Sequence, residues 1–278
     1  MQYTDSELTR LHQTLYEILA EVVRVCDKHN IHYFITGGTA IGAYFWKKIL
    51  PWDDDIDIGM FRSDYEKFIE IAPKELGKDF FLQTPDSDPH VPFFFIKVRM
   101  NDTEFCESTF QHIDMHQGMY VDIFPFDKIP NHRFLEKLQH NILFFFNGLF
   151  IAKEIWQWKY CGHCDTEIPR PRGFIPCLMT RLLITIFSKK NIFRIMQKTQ
   201  MFFNGCERLT YCKNIITKNE KVLIDDILHP QTVQLGDLHV NAARDLLAYL
   251  TNHYGKVQKD IPAEMRTNHR PDHLKFKD

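Results

Sequence analysis

Apolar residues recur at helical spacing near the start of the chain. Leu8, Leu11, Leu15, Leu19, Val22, Val23 and Cys26 lie three or four positions apart and give a helix over 6–29 one apolar face, with Asp5 or Ser6 as the predicted cap. Ile31-His32-Tyr33-Phe34-Ile35 then reads as a short strand that ends at Gly37-Gly38-Thr39, where a second helix starts and runs through Trp46. Asp55-Ile56-Asp57-Ile58 changes the period from helical to two, as expected of a strand with one polar face. Residues 62–76 return to a helical pattern, and strands are predicted over 93–100, 103–108 and 119–124, punctuated by proline and glycine.

The pattern divides the chain into three stretches. Residues 1–130 read as an α/β (α+β) core with a mixed sheet and flanking helices. Residues 131–220 become helical, aromatic and basic. Residues 221–278 carry a short strand near 232–238 and a last helix over about 242–253, and are predicted to pack back on the core. A chain of 278 residues can bury such a core without disulfides, and its seven scattered cysteines do not suggest a disulfide framework. The net charge of −2 offers no overall attraction to nucleic acid. No basic segment followed by an apolar one opens the chain, and the longest apolar run, 142–152, falls short of the ~20 residues that a spanning helix needs. The expected location is cytoplasmic.

The acidic run carries the candidate chemistry. Asp55 and Asp57 on one strand face would repel each other unless one is protonated or a cation lies between them, and hard carboxylate ligands suit Mg²⁺ or Mn²⁺. Ile56 and Ile58 would anchor the opposite face, which leaves Asp53 and Asp54 to the preceding loop. Gly37 and Gly38 at a strand-to-helix junction allow close backbone approach to a phosphate. Asp122, alone on the apolar run Met119-Tyr120-Val121-Asp122-Ile123-Phe124, is the candidate third metal ligand.

Three blocks then resemble the LicD family, which includes bacterial choline-phosphate transferases and has fukutin and fukutin-related protein as relatives. They are Ile35-Thr36-Gly37-Gly38-Thr39-Ala40-Ile41-Gly42-Ala43, Pro51-Trp52-Asp53-Asp54-Asp55-Ile56-Asp57-Ile58-Gly59-Met60, and Gly118-Met119-Tyr120-Val121-Asp122-Ile123-Phe124-Pro125-Phe126-Asp127. Phe95-Ile96-Lys97-Val98-Arg99 is similar to the family's basic strand, and residues 246–255 and 262–269 to its C-terminal signature. There the chain has Asn241-Ala242-Ala243 where relatives tend to carry a proline. Residues 131–219 match no motif.

The resemblance implies a nucleotidyltransferase-like fold and a CDP-alcohol donor such as CDP-choline or CDP-ribitol. It further implies transfer of the phosphoalcohol to a hydroxyl of a cell-surface glycan, which can be lipid-linked, with release of CMP. Asp55, Asp57 and Asp122 would hold the metal and carry catalysis, and Gly37, Gly38, Thr39, Trp52, Lys97, Arg99 and Tyr120 would contact substrate. Two other classes remain open: a nucleotidyltransferase releasing pyrophosphate, and an inactive binding module.

Further features stand outside these blocks. Trp46, Trp52 and Tyr120 are the aromatic residues available to cage a choline head, with core packing as the alternative. Cys161-Gly162-His163-Cys164 spells a redox dithiol motif without the surrounding βαβ pattern, and a zinc site or coincidence are the other readings. Residues 170–213 hold nine Lys and Arg against Glu207 alone. They read either as a cationic amphipathic helix for peripheral contact with the inner face of a membrane or as a helical subdomain whose apolar face packs on the sheet.

Overall fold

The structure, a computed structural model, describes residues 3–160, 174–214, 220–262, 266 and 268–277. The first helix, α1 (Asp5–His29), is capped one residue earlier than predicted. Thr4 and Glu7 form a capping box, the Glu7 amide donating to Thr4 Oγ1 at 3.2 Å and the Thr4 amide to Glu7 Oε2 at 2.7 Å. The helix buries Leu11, Leu15, Ile18, Leu19, Val22 and Cys26 against the sheet.

The sheet forms from β1 (Phe34–Ile35), β2 (Asp57–Phe61), β3 (Phe80–Gln83), β4 (Ile96–Met100) and β6 (Tyr120–Lys128), in the order β1-β2-β6-β4-β3. The β2–β6 pair is parallel and the others are antiparallel, which makes the sheet mixed and the architecture α/β. Helices α2 (Gly37–Phe45) and α3 (Arg62–Glu75) follow β1 and β2. The distal end of β6 continues the sheet through β7 (Tyr211–Lys213) and β8 (Lys221–Leu223).

Several boundaries differ from the periodicity. The strand predicted over 31–35 is reduced to two residues, that over 93–100 starts at Ile96, and that over 119–124 runs on to Lys128. The last helix, α8 (Leu246–Tyr254), starts later than expected. Residues through Ala242 are taken by a hairpin in which β10 (Leu238–Ala242) pairs with β9 (Gln231–Leu235). Strands β3, β7 and β8 carry no prediction, since runs of three or four residues are too short to establish a period.

The described residues between 133 and 201 are almost all helical. Helix α4 (Arg133–Tyr160), α5 (Phe174–Ile186) and α6 (Lys189–Met201) enclose a second core of Leu143, Leu149, Phe150, Ile184, Ile192 and Met196. The stretch 170–213 is therefore not one amphipathic helix. Ser188 caps α6, its Oγ accepting from the Asn191 amide at 3.2 Å, and Ile192 and Met196 turn inward. Cys161 and Cys164 lie outside the described residues. No helix among the described residues is long and apolar enough to cross a membrane.

Helix α7 (Ile224–Leu228) precedes the hairpin. The C-terminal stretch then returns to the core, with α8 against α2 and β11 (His273–Lys275) paired with β5 (Glu104–Cys106).

Candidate active site

Strand register brings the acidic positions together. Asp57 on β2 is the in-register partner of Asp122 on β6, and Asp122 is in turn the partner of Lys97 on β4. Partners in register point to the same sheet face. The Asp57 amide donates to Thr39 Oγ1 at 2.9 Å, the Thr36 amide to the Asp57 carbonyl at 3.0 Å, and the Asp122 amide to the Ile56 carbonyl at 2.9 Å. Thr39 thus fixes the backbone of Asp57 with its hydroxyl. Ile56 and Ile58 are fully buried, as the alternation predicts, although β2 begins at Asp57 and Asp55 precedes it.

The carboxylates of Asp55, Asp57 and Asp122 lie in electrostatic range of one another, but their ligand atoms do not all come within 4.8 Å of each other. Burial and then the charge of Asp122 push Asp55 up to about 6. Burial, Asp55 and Asp122 raise Asp57 well above the usual carboxylate range. Burial also raises Asp122, and Lys97, with Nζ 2.7 Å from Asp122 Oδ1, opposes that rise. The Lys97 ammonium lies 3.3 Å from the centre of the Tyr120 ring and 4.9 Å from that of Phe93. Arg99 is buried and already engaged, donating to Gln83 Oε1 and to the Gly118 carbonyl. The Lys97 ammonium and the His269 imidazolium face three acids, and the negative charge left over suits a divalent cation that Asp55, Asp57 and Asp122 could hold.

The glycine turn stands directly against these acids. Gly37 has φ +55°, and a Cβ there would lie 3.0 Å from Asp57 Oδ2; at Gly38 it would lie 2.7 Å from Asp53 Oδ2. A side chain at Gly38 would displace the Asp53 carboxylate, and one at Gly37 would crowd that of Asp57 and strain a backbone with positive φ. The Gly37 amide donates to the Tyr249 hydroxyl at 3.1 Å, and that hydroxyl donates to Glu220 Oε1, so α8 braces the turn.

The site includes residues that periodicity does not reveal. Asp53 and Asp54 are loop residues as read, yet Asp54 is buried. Its Oδ2 accepts from the Tyr3 hydroxyl and from the His269 amide, each at 2.7 Å. The His269 imidazole lies 3.6 Å from Asp54 and 3.8 Å from Asp55, and this contact with Asp54 helps to raise it to about 9. Ligand atoms of Asp54, Asp55 and His269 all fall within 4.8 Å of one another. Asp54 is recruited by residues from both ends of the chain, and only the weak 262–269 signature hints at His269.

Two cavities meet at Asp55 and His269. One, of about 350 Å³, runs from Gly38, Asp53 and Asp57 past Trp52 to Tyr254 and Lys256. The other, of about 280 Å³, is walled by Phe93, Phe105, Phe110 and Tyr120 with Lys97, Glu107 and Asp122. Trp52 and Tyr120 thus line different cavities. Trp46 packs edge-on against Trp52 at 5.7 Å, and the guanidinium of Arg266 covers Trp52 at 4.5 Å. Trp46, Trp52 and Tyr120 do not form a single cage.

Residues of the site fall within a segment that is similar to known proteins. Residues 30–147 match the family model described as LicD/FKTN/FKRP, nucleotidyltransferase domain. The chain is 29% identical over 113 residues to the lipopolysaccharide cholinephosphotransferase LicD of Haemophilus influenzae, covering 38% of this chain and 39% of that protein. It is 28% identical over 79 residues to the human ribitol-5-phosphate transferase FKTN, covering 27% of this chain and 17% of that protein. It is 31% identical over 65 residues to the mouse ribitol 5-phosphate transferase FKRP, covering 23% and 13% respectively. The matches span well under half the length of these relatives. The family match covers the glycine turn, the acidic run and Asp122, and residues 30–147 of this chain are similar to the nucleotidyltransferase domain of the LicD/FKTN/FKRP family.

Proposed function

We propose that the protein transfers phosphocholine or a related phosphoalcohol from a CDP-activated donor to a hydroxyl of a glycan, with release of CMP, in a metal-dependent reaction. The observation that carries this reading is the in-register pair Asp57–Asp122 with Asp55 in electrostatic range of both. The activities for which the relatives are named, cholinephosphate and ribitol-phosphate transfer, supply the class of group moved.

Asp55, Asp57 and Asp122 would hold Mg²⁺ or Mn²⁺. When bound, such an ion neutralises phosphate charge and aligns in-line displacement. The chain's own groups supply the rest. The cavity beside Gly38 receives the donor's diphosphate, with Lys256 as a cation on its wall and Trp52 as an aromatic one. The aromatic cavity receives the transferred head. Lys97 already occupies the face of Tyr120, which leaves Phe105 and Phe110 as ring faces and Glu107 as counter-ion for a choline ammonium. A carboxylate with a raised pKa is a competent proton acceptor for an attacking hydroxyl, and Asp122, beside both the ion pair and the cavity, takes that role.

The test is product identity. With Mg²⁺ and a panel of CDP-alcohols, the reading expects CMP in amounts equal to the phosphoalcohol transferred. Pyrophosphate formed from a nucleoside triphosphate, with no CMP from any CDP-alcohol, would assign the domain to nucleotidyl transfer instead.

A further inference from the structure

Charge and exposed apolar surface are unevenly distributed over the molecule, and both concentrate on α4–α6. The three helices carry nine Lys and Arg against two Glu, in a chain whose net charge is −2. Both acids are taken internally: Glu136 by Lys213 and Lys221, Glu154 by Lys189 and His90. Arg133, Lys137, Arg181, Lys190, Arg194 and Lys198 are exposed, and none of them pairs with a described carboxylate.

The same helices expose two apolar stripes at helical spacing. Phe134, Leu138 and Phe145 follow one face of α4, and Leu178, Leu182 and Ile186 one face of α5, with exposures from 46% to 66%. Neither stripe belongs to the small core that the helices share, which takes Phe150, Ile184 and Ile192. Exposed large apolar side chains on adjacent helices mark an interaction surface.

We propose that this helical layer seats the protein on an anionic bilayer surface, the stripes entering the headgroup region and the flanking cations meeting lipid phosphates. Charge complementarity selects this occupant over a second copy of the chain. An isologous contact would set one cationic fringe against another, and the two acids on these helices are already paired within the protomer. The layer differs from a 170–213 surface, because α4 supplies one of the two stripes and α6 turns Ile192 and Met196 inward.

The test is co-sedimentation of the full chain with vesicles of phosphatidylcholine alone and of phosphatidylcholine mixed with phosphatidylglycerol. The protein is expected to pellet with the anionic vesicles only, and about tenfold less at high salt. Phe134→Glu with Phe145→Glu should abolish pelleting, and Lys190→Glu with Arg194→Glu should weaken it strongly, both with unchanged circular dichroism and thermal midpoint. No binding to anionic vesicles would overturn the proposal. So would equal binding to both vesicle types, or a dimer that the Phe substitutions dissociate while vesicle binding stays as in the parent.

Discussion

Asp57 and Asp122 face each other in register on the parallel strands β2 and β6, with Lys97 on the far side of Asp122. Adjacent strands lie about 4.8 Å apart, so two ionised carboxylates at such positions repel by about 3 kcal/mol at an intermediate effective dielectric. Asp57→Asn removes this repulsion together with a proposed metal ligand. We expect the variant to be as stable as the parent or more stable in chelator at neutral pH, and to transfer about a hundredfold less, or not at all, with metal present. Thermal melting and turnover on the same preparation check both halves.

The pH dependence of stability follows from the same crowding. A carboxyl whose folded pKa lies above its unfolded value binds more protons when folded, so its contribution to stability falls as pH rises between the two values. For Asp55 that window runs from the ordinary carboxylate range to about 6. In chelator, the thermal midpoint of the parent should fall across this window relative to that of Asp55→Asn. Parallel profiles for the two proteins would contradict the assignment.

Added Mg²⁺ should reverse that loss. A ligand that binds only the folded state at a hundred times its Kd stabilises by about 2.7 kcal/mol, which is several degrees for a domain of this size. The shift is expected for the parent and absent from Asp57→Asn, measured by thermal melting across a Mg²⁺ titration.

Much of this arrangement was legible in short-range pattern. The alternation at Asp55-Ile56-Asp57-Ile58 separates an acidic face from a fully buried apolar one, and Asp122 stands out as the one acid in the apolar run 119–124. What could not be read was set by distant partners. Asp54 is buried because Tyr3 and His269 reach it from opposite ends of the chain. Lys97 and Arg99 alternate as expected of one strand face, but their neighbours Tyr120, Gln83 and Gly118 make that face an interior one. The hairpin that displaces the start of α8 depends on pairing between β9 and β10, which helical periodicity cannot anticipate.

Tyr249 couples the C-terminal helix to the glycine turn, accepting from the Gly37 amide and donating to Glu220. Tyr249→Phe keeps the ring and removes both bonds. A cost of about 1–3 kcal/mol is expected from the buried polar groups that lose a partner. Chemical denaturation measures it, and turnover should fall as the turn against Asp57 loosens.

Away from the site, Arg62 donates two bonds to Asp127, at 3.0 and 2.5 Å, in a buried pair that Asn204 also joins. Arg62→Met leaves Asp127 buried without its counter-ion. A loss of about 3–5 kcal/mol is expected, read as a lower denaturation midpoint with an unchanged slope.

The central claim is that the Asp55–Asp57–Asp122 cluster drives metal-dependent transfer from a CDP-alcohol. Its most direct test is CMP release by the purified parent and by Asp57→Asn, with CDP-choline and CDP-ribitol, in Mg²⁺ and in chelator. CMP is expected from at least one donor, and only when parent and Mg²⁺ are both present. CMP release that persists in chelator or in Asp57→Asn, or its absence with every CDP-alcohol and glycan acceptor offered, would contradict it.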